Sequence, residues 1–377
     1  MKQFSVFLIV GLAVASIGVA QNKSASDFLK KPQANGLELK SVGRVSFGPH
    51  GLLLVSDPVS ASIVAIDTAD VGPVKKLAAS VKNVDEKIKA ALAVGEGDVK
   101  IVDMAVNPES GKIWFTVNQS PGNKAKIVVI ASDGTASVPD ITKMPYVRMT
   151  LPTAENAKLR NVTDLAWGKF SVIVAGQSSE EFSNKIFQIP IPLEHGENAQ
   201  FFSAETYHVA HKRWETKAPI QSFIPYEEDG KNYIVGAFAC TPIAKFPLDD
   251  IESGAQIKGI SVVELGSGNR PRDMFTYKKD GEEWLVTNTQ RFKKNLYGPS
   301  KFWAAKVKMS LLAAEDVNED AIRRNPEKTS GPEANGMEVV EQLSGAVLVS
   351  QLENAEVVVL REQAENGPHH LELVELN

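Results

Sequence analysis

The chain has little cysteine, with Cys240 the only one in 377 residues. One cysteine excludes a disulfide within a monomer and a haem-attachment pair, so the fold depends on burial of its own core. Cys240 lies in the apolar run VGAFACTPIAKF, which favours a small buried core residue. Aromatic residues reach only 7%, the net charge is -5, and no basic block occurs. This composition argues against nucleic acid as a partner.

Sequence motifs of several catalytic classes are also missing. There is no G-x-S-x-G or H-E-x-x-H sequence and no phosphate-binding loop. These absences remove local support for a serine hydrolase, a zincin or a nucleotide-binding enzyme. A redox role with a bound quinone or haem is a further hypothesis, for which the sequence contains no ligation motif.

The first 20 residues have the pattern of a bacterial signal peptide. Lys2 precedes the apolar run FSVFLIVGLAVASIGVA, which is short and rich in small residues for a membrane span. Gly18 and Ala20 are small residues at the recognition positions, so we expect cleavage after Ala20. A retained membrane anchor is the alternative. The pattern predicts an exported protein, periplasmic or secreted, with one mature domain at 21–377 and no stable membrane insertion.

A repeated pattern fills the rest of the chain. Each unit has a polar residue, a short apolar strand, a turn that usually contains glycine, and a strongly β-forming strand. DMAVNPESGKIWFTV and the stretch RDMFTYKKDGEEWLV are good examples. We call the polar residue of each unit its anchor. The anchors recur at intervals of between 51 and 65 residues and are Arg44, Asp103, Asp164, Ser222, Asp273 and Glu338.

Further strands follow in each unit. A third strand is predicted at SIVAID, KIVVIA, KIFQIP, PIAKFP, FWAAKV and EVVVLR, and fourth strands include VKKLAAS from Val74 and HHLELVEL from His369. Six units of about four strands predict an all-β fold, a six-bladed β-propeller, with seven blades as the alternative. Short helical insertions are predicted at Val84 to Gly95 and after Met309.

The units resemble six-bladed propellers of the NHL-repeat and SMP-30/gluconolactonase-like superfamily. The resemblance is carried by DMAVNPESGKIWFTV and GRVSFGPHGLLLVSDPVSASIVAID and covers nearly the whole mature chain. The chain as a whole resembles exported bacterial propellers of no assigned activity. Such propellers include lactonases with a divalent metal at the channel mouth, scaffolds and binding proteins. The flanking motifs of the SMP-30-like metal ligands are not recognisable here, so no ligand set carries over.

The anchors are expected to surround one mouth of the central channel, because the first strand of each blade lines it. Carboxylates that converge in such a mouth need a cation, arginine partners or raised pKa values. Asp103, Asp164 and Asp273 are therefore candidate ligands for Ca²⁺ or another divalent cation. The structural alternative is that each aspartate accepts backbone N–H groups from the next blade or pairs with an arginine. Candidate ligand-binding residues at this mouth are Arg44, Arg272 and Glu338.

Two other segments contain candidate site residues. TYHVAHKRWE includes His208 and His211, which could bind a metal on a helix, and Arg213 and Trp214, which could contact a ligand. On a strand the two histidines would point to opposite faces. The insertion TNTQRFKKNLYGPSKFW contains the candidate Asn288 and is longer than a tight hairpin. In both segments the alternative is an ordinary structural role.

Two functions follow from these observations. The first is an exported propeller that acts as a ligand-binding protein or scaffold, with a small polar ligand or a protein as partner. The second is a metal-dependent, lactonase-like hydrolase with a cation at the channel mouth that activates water or polarises a carbonyl.

Overall fold

The computed structural model describes residues 24–95, 97–208, 212–239, 242–249, 252–264, 268–292, 298–313 and 337–377. Within these residues the chain is almost entirely β-structure, and its α-helix is α1 (Val84–Ala91). Short 3-10 helices lie at Ala25–Phe28, Pro58–Ser60, Ile141–Lys143, Met309–Ala313 and Glu341–Leu343. In this part of the chain, no helix has both the length and the apolar character needed to cross a membrane.

The strands form small antiparallel sheets. Sheet A has the order β1 (Val45–Phe47), β2 (Leu52–Asp57), β3 (Ser62–Asp67) and β8 (Tyr146–Thr150). Sheet B consists of β4 (Val99–Val106), β5 (Ile113–Gln119), β6 (Lys124–Ile130) and β7 (Ala136–Ser137). Because the pleat alternates side chains between two faces, these apolar strands are buried on both sides only when neighbouring sheets cover them.

Sheet C joins two four-stranded halves. The first half is β9 (Leu159–Trp167), β10 (Ser171–Ser178), β11 (Asn184–Pro190) and β12 (Gln200–His208). The second half is β14 (Ile220–Glu228), β15 (Lys231–Phe238), β16 (Pro242–Pro247) and β17 (Gln256–Glu264). The outer strands β12 and β17 pair in parallel and make the halves continuous, and β13 (Arg213–Glu215) pairs with the far end of β12.

The last two sheets come from the C-terminal part of the chain. Sheet D has the order β18 (Asn269–Lys279), β19 (Glu282–Arg291), β20 (Phe302–Lys308) and β21 (Glu338–Val339). Sheet E has the order β22 (Ala346–Glu353), β23 (Glu356–Glu362) and β24 (His369–Glu375). Both sheets are antiparallel throughout.

The first strand of each unit lies at the centre of the molecule. We call β1, β4, β9, β14, β18 and β22 the inner strands. They contact one another in the circular order β4, β1, β9, β14, β18, β22 and back to β4. A cluster of buried apolar side chains lies at each junction between neighbours, for example Val55 with Trp114 between sheets A and B. The arrangement is propeller-like, with the core distributed between radially packed sheets.

The circular order differs from the order along the chain. Sheet A lies between sheet B and the first half of sheet C, although sheet B separates the two in sequence. Sheet A is completed by β8, which follows sheet B in the chain. The predicted fourth strand from Val74 is not formed. Its neighbour Val81 instead makes an isolated antiparallel bridge to Leu371 of β24, with N–H to O distances of 2.8 and 2.9 Å.

The predicted sixth unit is displaced by one strand. Glu338 lies in β21, where it pairs with Lys306 of β20 at the outer edge of sheet D. The inner strand of sheet E is β22, whereas the repeat pattern predicts that the inner strand begins at Glu338. The helix predicted from Val84 to Gly95 is found as α1. Of the segment after Met309, only the 3-10 helix to Ala313 is described, and its remainder, like Cys240 and the predicted signal peptide, lies outside the described residues.

Candidate functional site

A bulge on each of five inner strands precedes four of the anchors and one apolar residue. The pairing register shifts at Val102, Thr163, Gln221, Arg272 and Val347. The pairings of β9 and β22 each contain a second shift elsewhere along the strand. The residue after each of these five bulges is, in order, Asp103, Asp164, Ser222, Asp273 and Leu348. Leu348, rather than Glu338, is thus the equivalent position in sheet E. A bulge removes a residue from the ladder, so its backbone groups become available to other partners.

Arg44 uses these available backbone groups. Its Nε donates to the carbonyl of Thr163 at 2.6 Å, and its Nη2 donates to the carbonyls of Arg272 at 2.7 Å and Gln221 at 3.2 Å. The same guanidinium donates from Nη1 to Asp103 Oδ1 at 3.0 Å, and Asp273 Oδ1 lies 3.8 Å from that nitrogen. Arg44 therefore joins groups from four inner strands other than its own.

The aspartates hold neighbouring inner strands together. Asp103 Oδ2 accepts the backbone N–H of Val45 at 2.9 Å. Asp164 Oδ2 accepts the backbone N–H of Phe223 and the hydroxyl of Ser222, both at 2.9 Å. Each bond crosses from one inner strand to the next in the circular order, which is the structural role left open by the sequence.

The third aspartate repeats this arrangement. Asp273 Oδ2 accepts the backbone N–H of Val349 at 2.9 Å and the Nδ2–H of Asn288 at 3.1 Å. Aspartates therefore occupy alternate positions of the ring, on β4, β9 and β18, and close alternate junctions between the inner strands. Asn288 belongs to this cluster through Asp273.

We call Arg44, Asp103, Asp164 and Asp273 the axial cluster. Burial and charge perturb the titration of three of its members, Arg44, Asp164 and Asp273. Burial raises the pKa of Asp164 to about 6, although Arg44 and the hydrogen bonds to its carboxylate oppose the shift. Burial likewise raises the pKa of Asp273 against the charge of Arg44. Burial disfavours the charge of Arg44, but the three aspartates outweigh it and hold its pKa above the usual range.

Two cavities lie on opposite sides of Arg44. The larger cavity has a volume of about 610 Å³ and is bounded by the axial cluster and by the parts of the inner strands that follow the anchors. Its lining includes Ser46, Tyr226, Glu227 and Glu283. Its lining side chains include five carboxylates and one guanidinium, that of Arg44. Lys169 lies 2.7 Å from Glu227 and offsets part of this negative charge.

The smaller cavity has a volume of about 200 Å³ and lies where the inner strands begin. Three arginines line it, Arg44, Arg270 and Arg272, and no carboxylate belongs to its lining. Arg270 Nε donates to Gln221 Oε1 at 2.6 Å. The two cavities therefore have opposite charge, and Arg44 borders both.

The described residues contain no group of three or more His, Cys, Asp or Glu side chains that could hold a metal ion. Asp103, Asp164 and Asp273 surround the guanidinium of Arg44 instead of converging on a common point. Of the three expected ways to accommodate these carboxylates, Arg44 provides an arginine partner, and Asp164 and Asp273 also have raised pKa values.

The other predicted site residues lie away from the axial cluster. Arg213 and Trp214 are on β13, where Arg213 Nε donates to Glu215 at 2.8 Å. Trp214 contacts Tyr207, and the Lys258 ammonium lies 4.8 Å from the centre of its ring. His208 is buried and lies in strand β12, so this part of the segment is a strand and not a helix. The second histidine of the predicted pair, His211, lies outside the described residues.

The comparisons with known proteins concern the fold. No known family profile and no curated protein sequence matches the chain. Solved structures similar to it include a PQQ-bound aldose sugar dehydrogenase from Streptomyces coelicolor, with 12% identity, a TM-score of 0.34, and coverage of 92% of this chain and 97% of that one.

Two further structures give the same level of similarity. An oxidoreductase of Thermus thermophilus described as a glucose dehydrogenase has 10% identity, a TM-score of 0.35, and coverage of 91% and 99%. A GH43 protein from Bacillus licheniformis has 10% identity, a TM-score of 0.37, and coverage of 72% of this chain and 52% of that one. These similarities carry no information on the ligand or activity of this chain.

Proposed function

We propose that this protein is a ligand-binding propeller whose larger cavity holds a small polar ligand with a positively charged group. The observation that carries the proposal is the volume of about 610 Å³ next to the axial cluster. Ligand sites typically have volumes of about 300 to 1,000 Å³, with apolar walls and a few polar groups. The larger cavity combines apolar residues such as Phe47 and Met274 with the hydroxyl and amide groups of Ser46 and Gln351.

The charge of the lining selects the ligand class. Glu227 and Glu283 line the larger cavity together with the three aspartates of the axial cluster. Glu227 and Glu283 are paired with Lys169 and Lys278, at 2.7 and 3.7 Å. The excess of negative charge comes from the axial cluster, in which one guanidinium faces three aspartates. An ammonium or similar cation would relieve this excess of negative charge, whereas an anion would increase it.

The propeller in this proposal has six blades, with sheet C contributing two of them. Six inner strands in one circuit and an apolar cluster at each junction support that count. The resemblance to the SMP-30-like superfamily fits this architecture. The lactonase-like alternative would require a metal ion at a place where the guanidinium of Arg44 already contacts the aspartates.

A matched pair of ligands tests the proposed charge preference. Differential scanning fluorimetry with 1,4-diaminobutane and with 1,4-butanediol separates charge from chain length. We expect the diamine to raise the melting temperature more, by mass action on the folded state. Glu283→Gln should reduce that shift and Ser46→Trp should block it. Equal effects of the two compounds, or a diamine shift that persists in Ser46→Trp, would contradict the proposal.

Export is a second part of the proposal and rests on the sequence alone. Cleavage after Ala20 should give a mature chain that begins at Gln21. Intact mass spectrometry of protein recovered from the periplasm or medium of a bacterial host tests this. A mature form that keeps residues 1–20 would contradict it.

A further inference from the structure

The smaller cavity contains polar groups that the protein itself does not satisfy. Thr163 lines this cavity and has a relative exposure of 6%, yet its hydroxyl has no hydrogen-bond partner. The buried side-chain oxygen of Asn161, on the same strand and in the same lining, also lacks a partner. A buried hydroxyl without a partner costs about 1 to 3 kcal/mol, so such groups normally face a ligand or water.

Arg272 adds a charged group to the same wall. Its backbone carbonyl accepts a hydrogen bond from Arg44. Its guanidinium has no hydrogen bond or ion pair to any described residue, although Asp273 and Asp103 are close enough to act on it through their charges. Burial, and then the charge of Arg44, lower the pKa of Arg272, which shows that its positive charge is poorly compensated.

The neighbouring arginines differ in their availability. Arg44 is occupied by Asp103 and by three backbone carbonyls. Arg270 uses Nε on Gln221, so its terminal nitrogens remain to be directed into the smaller cavity. A planar guanidinium can donate two parallel hydrogen bonds to a carboxylate or a phosphate. No carboxylate in the cavity lining competes for these donors.

We infer that the smaller cavity is a binding site for a compact oxyanion, held by the guanidinium groups of Arg272 and Arg270 and by the hydroxyl of Thr163. The volume of about 200 Å³ suits a free phosphate or a short carboxylate, or the terminal group of a larger ligand that enters from the strand-start side. The amide of Asn161 can present either its oxygen or, after rotation, its NH₂ group to that anion. This site lies across Arg44 from the larger cavity and is independent of the ligand proposed there.

Calorimetric titration and thermal scanning of the full chain test the inference. The probes are sodium phosphate and sodium acetate, each compared with sodium chloride at equal ionic strength. We expect phosphate or acetate to raise the melting temperature in a saturable manner and chloride to have no such effect. A response to acetate alone would identify a carboxylate site, and a response to phosphate would identify a phosphate site. No saturable response to either probe would overturn the inference.

Variants locate the effect. Arg272→Gln should weaken binding of the active probe by about tenfold or more, because it removes charge-assisted hydrogen bonds. Thr163→Val should weaken binding by about two- to tenfold, since it removes one neutral hydrogen bond. The valine has nearly the same shape, so this variant remains informative if Arg272→Gln does not fold.

A matched control removes a positive charge elsewhere. The side chain of Lys143 is 79% exposed and pairs with Asp140. Neither residue lines the smaller cavity. Lys143→Gln should bind the probe with unchanged affinity. Equal weakening in Lys143→Gln and Arg272→Gln would mean that the anion responds to net charge, and it would overturn the assigned site. Unchanged binding in both Arg272→Gln and Thr163→Val would overturn it as well.

Discussion

Arg44 shows how a single side chain can organise the centre of a repeat protein. Three bulged residues, Thr163, Gln221 and Arg272, would otherwise leave carbonyl groups without a partner near the axis. The guanidinium has five N–H donors in a planar arrangement, which allows it to serve these carbonyls and Asp103 together. A lysine ammonium, with three donors at one point, could not span the same distance.

Replacing Arg44 should therefore be strongly destabilising. Arg44→Met leaves three buried aspartates without their cation, and breaking a buried charge pair in this way typically costs about 3 to 5 kcal/mol. Urea denaturation measures the change. Arg213→Gln is the matched control, because Arg213 has a side chain that is 67% exposed and its pair with Glu215 is worth less than about 1 kcal/mol. A loss below 1 kcal/mol in Arg44→Met would contradict this account.

Asp164 should make stability depend on pH in the acid range. Its folded-state pKa of about 6 lies above the ordinary value of 3.8. The folded protein therefore holds a proton that the unfolded chain has released, and the stability contributed by Asp164 is present below 3.8 and lost as the pH rises through 6. Asp164→Asn cannot titrate, so relative to wild type it should gain on the order of 3 kcal/mol across this window.

Ser222 provides the control for that assignment. Its hydroxyl donates to Asp164 and lowers the pKa of that carboxyl. Ser222→Ala should consequently move the pH window upward, whereas Asp164→Asn should remove it. The measurement is a series of urea denaturations between pH 4 and 7.5. Identical pH dependence in wild type and Asp164→Asn would show that another group is responsible.

At the scale of the element, the sequence predicts strands where apolar and polar side chains alternate. It does not predict where the backbone departs from regular strand pairing. The third strands predicted at SIVAID and KIVVIA are β3 and part of β6, because their apolar residues are buried between sheets. The bulged residues Val102 and Arg272 are of different types, so no sequence pattern predicts the bulges. The position equivalent to the anchors in sheet E is Leu348. Because Leu348 is apolar, a pattern of polar anchors predicts Glu338 at this position instead.

Closure of sheet E depends on a segment that is far away in the chain. Val81 bridges to Leu371, and α1 follows directly. Asp85 in the first turn of α1 accepts the backbone N–H of His369 at 2.8 Å and lies 2.9 Å from its ring Nδ1. Burial raises the pKa of Asp85, but the bonds with His369 outweigh it, and the pKa is lowered overall. The interaction therefore stabilises the fold above the unfolded pKa of Asp85 and is lost in acid.

Asp85→Ala should loosen this closure. The partly buried N–H of His369 would lose its acceptor, at a cost of about 1 kcal/mol. Amide hydrogen exchange should accelerate at Leu371 and Val81 before it does at the axial strands. Glu86→Ala is the control in the same helix, because it removes only a solvent-exposed pair with Lys89, which contributes little to stability. Equal exchange rates in the Asp85 and Glu86 variants would show that this contact does not hold the closure.

At the scale of the whole molecule, the circular order explains how a chain can close without placing its sheets in sequence. The outer strand of sheet A, β8, follows sheet B in the chain. In the circle, sheet B lies between sheet A and sheet E. Each sheet contacts its two neighbours, so stability should be mainly a sum of sheet and junction contributions. Arg44 is the exception, because its guanidinium joins inner strands that are not neighbours in the circle.

A double-mutant cycle between Asp103 and Asp273 should detect this long-range connection. The two residues lie on β4 and β18, which are separated in the circle by β22, but both face Arg44. Their like charges repel, as the effect of Asp103 on the pKa of Asp273 indicates. Either Asp103→Asn or Asp273→Asn alone removes that repulsion. Adding the other substitution afterwards should therefore stabilise the fold less than it does in the wild type. We expect a coupling energy of about 0.5 to 3 kcal/mol in urea denaturation at pH 8.

The same cycle in an Arg44→Met background separates direct repulsion from coupling through the guanidinium. Without Arg44 the two aspartates lose the guanidinium that they both face, while the charge of Arg272 still acts on both. Their mutual repulsion is then less compensated, which should raise the pKa of Asp273 further. The coupling energy should therefore change when Arg44 is removed. If Asp103→Asn and Asp273→Asn are additive within about 0.3 kcal/mol in the wild-type background, each aspartate acts only at its own junction, and Arg44 does not connect the ring across its axis.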